Sequence, residues 1–188
     1  RAMSHKHNRA NISSLTAFAG DGSTVGDHYC VVPETYHEAW FYSINSPYEK
    51  WQLKKLLAVF AKGLDNEHAR IADIGGGTGR FAHLLHRDLS LRHPVICVDN
   101  SKYMLSQVSQ DGVIPVLNDA VTYAKNLEES CLDRILLKEV VHHICPDEVR
   151  DMYAGLFRAL MPGGLCLTVT RPKVDIDYPF FAGAKTVW

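Results

Sequence analysis

Three groups of residues in this sequence have the types and the spacing to do chemistry. Two acids sit in or at the end of apolar runs, Asp73 in Ile71-Ala72-Asp73-Ile74 and Asp99 after Val95-Ile96-Cys97-Val98. Glycines at 75, 77 and 79, with Gly76 and Thr78 between them, follow the first acid directly. A histidine pair, His142-His143, stands at the exit of a third apolar run. Carboxylates in such places accept hydrogen bonds from hydroxyls or an ammonium group. A neutral imidazole near pH 7 can take a proton from a hydroxyl or an amine.

The glycines explain how a ligand would reach these groups. Glycine tolerates positive φ and has no Cβ, so the chain can turn tightly out of a strand and leave its backbone open to close approach. Arg80-Phe81-Ala82-His83-Leu84-Leu85 then places apolar residues at 81, 84 and 85, the spacing of an amphipathic helix whose N-terminus opens on the loop. Strand, glycine turn and helix in that order are nucleotide-binding architecture. A dinucleotide fingerprint wants G-x-G-x-x-G or G-x-G-x-x-A, but Arg80 occupies its sixth position, and Asp73 lies where nicotinamide enzymes carry an apolar residue. The acid two residues before the first glycine is better placed for an ammonium group.

Acid, apolar residue and G-x-G-x-G together resemble motif I of the class I S-adenosylmethionine-dependent methyltransferases. The resemblance implies that Asp73, Gly75, Gly76, Gly77, Thr78 and Gly79 pass the methionine portion of the cofactor. Asp99 lies 24 residues after Gly75, which suits a carboxylate accepting from both ribose hydroxyls, with Asn100 beside it and Met104 packing on the adenine. Asn118-Asp119-Ala120 closes another strand-like run, and in the family an acid at this place approaches the adenine amino group. Leu160-Met161-Pro162-Gly163-Gly164 resembles the turn that precedes the family's fifth strand.

The acceptor side is expected around the exit of the fourth strand. Lys138 and Glu139 should open beside the sulfonium, Lys138 toward the cofactor and Glu139 toward the substrate. A mutual salt bridge or helix capping is equally open for the pair. His142 and His143 are the candidate catalytic bases, and adjacent residues cannot both point one way, so at most one should face the pocket. His37, Trp40 and Tyr42, in an aromatic stretch of the N-terminal segment, are candidate substrate-binding residues of a lid; packing against the core is the competing reading.

Composition bounds the remaining choices. With 188 residues and 46% apolar content, the chain can bury one sizeable core. Twenty basic and 21 acidic residues give a net charge of −1, so there is no broad electrostatic footprint for nucleic acid. Five cysteines form no C-x-x-C pair and read as reduced, mostly buried thiols of a cytoplasmic protein. No apolar run is long enough to span a membrane, and His5 and His7 in a polar tail read as solvated, so no metal site is expected.

The elements that must position these groups follow from periodicity. Ser46-Pro47-Tyr48-Glu49 predicts a capped helix start, with Leu53, Leu56, Leu57 and Phe60 on its buried face, Lys50, Lys54 and Lys55 in solvent, and Gly63 as its stop. Strands are expected near 71–74, 94–99, 113–120, 131–138 and 165–170. A helix opening at Pro146 should bury Val149, Met152, Tyr153, Leu156, Phe157 and Leu160. The expected fold is α/β, a Rossmann-like parallel sheet with helices on both faces, holding five of the seven strands of a class I methyltransferase. Residues 1–45 form a tail with the lid segment and 46–188 the cofactor-binding core. The missing strands suggest a fragment or a shortened family member whose open sheet edge invites self-association. The expected function is methyl transfer to a small-molecule acceptor; a catalytically silent S-adenosylmethionine-binding scaffold and a nicotinamide-dependent oxidoreductase are the alternatives.

Overall fold

The computed structural model describes residues 47–170. His37, Trp40 and Tyr42, the Ser46 cap, Cys30 and the segment after residue 170 lie outside the described residues. The elements run α1 (Pro47–Ala61), β1 (Ile71–Ile74), α2 (Arg80–Asp88), β2 (Val95–Asp99), α3 (Lys102–Ser106), β3 (Val113–Leu117), α4 (Ala120–Asn126), β4 (Leu132–Lys138), a 3₁₀ turn (Val141–His143), α5 (Pro146–Ala159) and β5 (Leu160–Val169). The strands form one sheet in the order β3-β2-β1-β4-β5, and every pairing is parallel. The order reverses between β1 and β4, where an open α/β sheet leaves a crevice at the carboxyl ends of its strands.

Alternation along the strands sends side chains to two cores. Ile71, Val95, Cys97 and Leu136 join one with α1 and α2, while Ala72, Ile74, Val98, Ile135 and Leu137 join the other with α4 and α5. Helices therefore cover both faces, as expected. Gly155 lets α5 approach α4 closely, since a Cβ there would run into the Ala124 carbonyl.

α1 has the expected faces, with Leu56 and Phe60 buried and Lys50, Lys54 and Lys55 exposed. Its placement depends on β4. Arg134, only 5% exposed, donates from Nε to the Phe60 carbonyl at 3.1 Å and from an Nη to the Lys62 carbonyl at 2.8 Å. These are carbonyls that a helix end leaves without partners, and the cation also suits the negative end of the helix dipole. At the other end of β4, Lys138 meets Glu49 from the first turn of α1. The helix thus runs antiparallel to β4, and its N-terminus comes to the crevice.

Three expectations need correction. β5 begins at Leu160 rather than Leu165: Leu132 pairs with Leu160 and Arg134 with Leu165, so the Met161-Pro162-Gly163-Gly164 stretch is accommodated as a register shift within the strand. Leu160 accordingly belongs to β5, not to the buried face of α5. Phe157 is 80% exposed, because Val149, Met152 and Leu156 already fill the face that α5 turns inward. Among the four described cysteines, all free, Cys97 is buried but Cys145 is exposed, so the thiols are not mostly buried. Burial pushes the Cys166 thiol up to about 12, with Thr168 pulling the other way.

Candidate functional site

The glycine loop wraps over the end of β2. Gly75 and Gly76 both donate to the Val98 carbonyl, at 2.7 and 3.0 Å. Gly75, Gly77 and Gly79 have φ of 71°, 57° and 73°, the left-handed region where a Cβ is costly. Gly76 is needed for space: a Cβ there would lie 2.7 Å from Cys97 Sγ and 2.9 Å from Asp73 Oδ2. Gly79 has a different task from the one expected. It is the N-cap of α2 and does not line the crevice, and a Cβ on it would lie 2.9 Å from Val108.

Asp99 closes β2 beneath this loop. Its Oδ2 accepts from Gly77 N at 2.9 Å and its Oδ1 from Ser101 N at 2.8 Å. Burial raises its pKa, against backbone hydrogen bonds from Ser101, Gly77 and Asn100 that lower it. An ionised carboxylate offers about four acceptor positions, so two bonds to the main chain fix its orientation and leave capacity for a ligand. On the next strand, Asp119 caps α4 by accepting from Thr122 N at 2.8 Å. Burial opposes ionisation there, but the bonds from Thr122 prevail and its pKa falls below the ordinary carboxylate value.

Asp73 lies deeper. It is 2% exposed, and burial pushes its pKa up to about 7; a backbone hydrogen bond from Ala82 lowers it, nearby Asp99 raises it and Lys138 lowers it. The Ala82 bond makes Asp73 a cap for α2. Its other oxygen, Oδ2, is buried with no hydrogen-bond partner among the described residues. A buried acceptor left unmatched costs about 1–3 kcal/mol. The arrangement is suited to a donor carrying positive charge, entering beside Gly76.

The exit of β4 supplies the opposite wall. Lys138, 7% exposed, stands with its Nζ 3.7 Å from Oε1 of Glu49, itself 11% exposed. Its observed ion partner is therefore on α1, a residue the sequence offered only as a capping-box acid. Glu139 adopts φ 58° and donates its N–H to the Val169 carbonyl at 2.7 Å. A non-glycine residue in that conformation costs on the order of 1–3 kcal/mol and is held by its surroundings. The following 3₁₀ turn sets the two histidine rings side by side, tilted by 43° with centroids 4.0 Å apart. His143 lines the crevice and His142 does not, which separates the pair as their adjacency required.

These walls enclose a cavity of about 590 Å³, within the several-hundred Å³ range of small-molecule sites. Of the expected residues, Asp73, Gly75, Gly76, Gly77, Thr78, Asp99, Asn100, Met104, Asn118, Asp119, Ala120, Lys138, Glu139 and His143 all line it. Gly79 and His142 stand outside the lining. Arg80 and Phe81 line it too and were missed as site residues. Their signal was their position, the first turn of the helix that leaves the loop. Among the described residues no cluster of His, Cys, Asp and Glu could hold a metal ion, and no helix is long and apolar enough to cross a membrane.

The cavity is lined by the acid that ends β2, by Met104 and Ala120, and by a carboxylate whose buried Oδ2 has no hydrogen-bond partner among the described residues. Residues 72–168, more than half of the chain, match a family described as "Methyltransferase domain". A ubiquinone/menaquinone biosynthesis C-methyltransferase of Desulfotalea psychrophila is 32% identical over 130 residues, which are 65% of this chain and 50% of that protein. The chain thus spans about half the length of that relative. Among solved structures, a geranyl diphosphate C-methyltransferase from Streptomyces coelicolor, bound to S-adenosyl-L-homocysteine, superposes with a TM-score of 0.54 at 18% identity over 65% of this chain and 45% of its own. An S-adenosylmethionine-dependent methyltransferase from Archaeoglobus fulgidus gives 0.53 at 22% identity over 67% and 54%. At these identities the two structures establish the fold.

Proposed function

The chain belongs to the methyltransferase-domain family, and on that premise we propose that its cavity binds S-adenosylmethionine and passes the methyl group to a small-molecule acceptor. The observation that carries the reading is the pair of carboxylates bracketing the glycine loop. Asp99 is oriented by Gly77 and Ser101 toward a polyol position, and Asp73 has one buried oxygen without a donor. They are spaced by a loop on which a Cβ at Gly76 would collide. A ribose and an ammonium group joined through a short chain satisfy both.

In this reading Asp99 accepts from the ribose hydroxyls with Asn100 beside it, Met104 and Ala120 flank the purine, and Asn118 and Asp119 read its polar edge. Asp73 receives the ammonium group, and Thr78 and Lys138 complete that end. The bound sulfonium supplies an already activated methyl group. The protein's task is then to hold the acceptor in line and exclude water, an orientation effect that can contribute roughly 7–11 kcal/mol. His143 faces the cavity and takes the acceptor's proton where one must leave; His142 packs behind it. Glu139 contacts the acceptor. The first turn of α1 lies beside Lys138 of the cavity wall, which supports residues 1–45, with His37, Trp40 and Tyr42, as a lid over the acceptor. The bare outer edge of β5 among the described residues supports self-association, and the free thiols support a reducing, cytoplasmic setting.

Calorimetric titration of the chain with S-adenosylmethionine and with nicotinamide dinucleotides tests the cofactor. Binding of the former alone is expected. Asp99→Ala should weaken it by a few kcal/mol, since hydrogen bonds to a charged group contribute about 1.5–3 kcal/mol each. Tighter binding of a nicotinamide nucleotide would refute the reading.

A further inference from the structure

The floor beneath the glycine loop is made in part by a cysteine that does not itself line the cavity. Cys97, at the middle of β2, is fully buried and pairs with Asp73 on β1 and with Pro115 on β3. Its Sγ and Asp73 Oδ2 lie 2.7 and 2.9 Å from the position that a Cβ on Gly76 would take. The thiol and the carboxylate oxygen therefore share the space under one residue of the loop. Burial pushes the Cys97 thiol up, Asp73 and Asp99 add to that, and the Gly79 N–H acts against them. The sulfur thus stays protonated and neutral beside two acids.

A thiol is a weak hydrogen-bond donor, and it fills space as a small apolar group does. Both properties matter to Asp73, whose Oδ2 is buried with no hydrogen-bond partner among the described residues. A hydroxyl or a water in the place of the sulfur would meet an unmatched acceptor beside it, and a buried donor left without a partner costs about 1–3 kcal/mol. Such a donor would pair with Asp73 and occupy the oxygen. The other groups acting on this carboxylate are Asp99 from β2, Lys138 from β4 and the Ala82 N–H from α2. Resting on the cofactor assignment above, we infer that Cys97 is a positioning residue for methyl transfer. Its thiol closes the floor under Gly76 without offering a strong donor, and so reserves Asp73 Oδ2 for the cofactor's ammonium group.

The deamino analogue of S-adenosylmethionine, which keeps the carboxylate, sulfonium, ribose and purine, isolates the ammonium contact. Calorimetry on the 188-residue chain at pH 8 should show S-adenosylmethionine binding about 10- to 100-fold tighter than this analogue, the range expected for a charge-assisted hydrogen bond. Cys97→Ser puts a strong donor at the sulfur's position and should cut that preference at least about fivefold. It should also lower the pH at which the preference appears by about one unit, because a hydrogen bond to the ionised carboxylate favours that form. Cys97→Val fills the space without a donor and should keep both the preference and its pH midpoint. Thermal melts report whether each variant is folded. A folded Cys97→Ser with the preference or the midpoint unchanged would overturn the inference, as would a folded Cys97→Val that loses as much preference as the serine variant. If Cys97→Val does not fold, the midpoint of Cys97→Ser decides alone. An unaltered chain that bound both ligands equally would overturn the inference and leave the cofactor assignment standing. If it bound neither, the cofactor assignment would fall and the role of Cys97 with it.

Discussion

Replacing Asp73 with Asn separates the cost of this carboxyl group from its use. In the folded chain burial raises its pKa to about 7, whereas an unfolded chain releases the proton near 3.8. Between those values the folded state binds more protons than the unfolded one, so stability falls as pH rises from about 4 to about 7 and then levels. The rise corresponds to roughly 4 kcal/mol at pH 8. Asn keeps the shape and a carbonyl for the Ala82 N–H but carries no titrating proton. Asp73→Asn should therefore match the unaltered chain at pH 4 and exceed it by up to about 4 kcal/mol at pH 8, while S-adenosylmethionine binding weakens at least tenfold. Urea unfolding at intervals from pH 4 to 8, with calorimetric binding at pH 8, measures both quantities. In the unaltered chain, affinity should also rise with pH through 7, because the cation selects the ionised carboxylate. A variant with the same pH slope as its parent, or one less stable at pH 8, would refute the reasoning.

Arg134→Met should destabilise the fold by about 3 kcal/mol in chemical denaturation, because it strips hydrogen bonds from the Phe60 and Lys62 carbonyls. Gly76→Ala should abolish cofactor binding in calorimetry, since its Cβ must displace Cys97 Sγ or Asp73 Oδ2. His143→Gln should lower methyl transfer roughly 10²–10⁴-fold with cofactor affinity nearly intact, and His142→Gln should chiefly lower the melting temperature. Rate losses of equal size from both would mean that the turn is scaffold.

The parts of the site made by neighbours in sequence were legible. Gly75, Gly77 and Gly79 had to turn, and all three do so with positive φ. Asp99 had to end a buried strand, and it does. What escaped depends on which strand lies beside which. Glu49 and Lys138 are far apart in the chain, and only the antiparallel run of α1 along β4 brings them together. Phe157 fits a helical apolar pattern, yet α5 turns inward by the width that Val149, Met152 and Leu156 require, and Phe157 falls outside it. Pro162 and Gly163 are turn residues by local chemistry, but pairing with β4 on both sides carries the strand through them. The role of Gly79 escaped for the same kind of reason, since Val108 is distant in sequence and adjacent in space.

The two cations at opposite ends of β4 give α1 a mechanical character. At about 1.5 Å per residue, this 15-residue helix is a strut of roughly 22 Å, riveted at Arg134 below and at Lys138 above. A shift of Lys138 when the cavity fills is expected to pull on Glu49, and the strut would pass that load toward the carbonyls of Phe60 and Lys62. Occupancy of the cavity should then be readable at the far edge of the molecule, as slowed amide exchange in the last turn of a helix whose own last turn lines no part of the cavity.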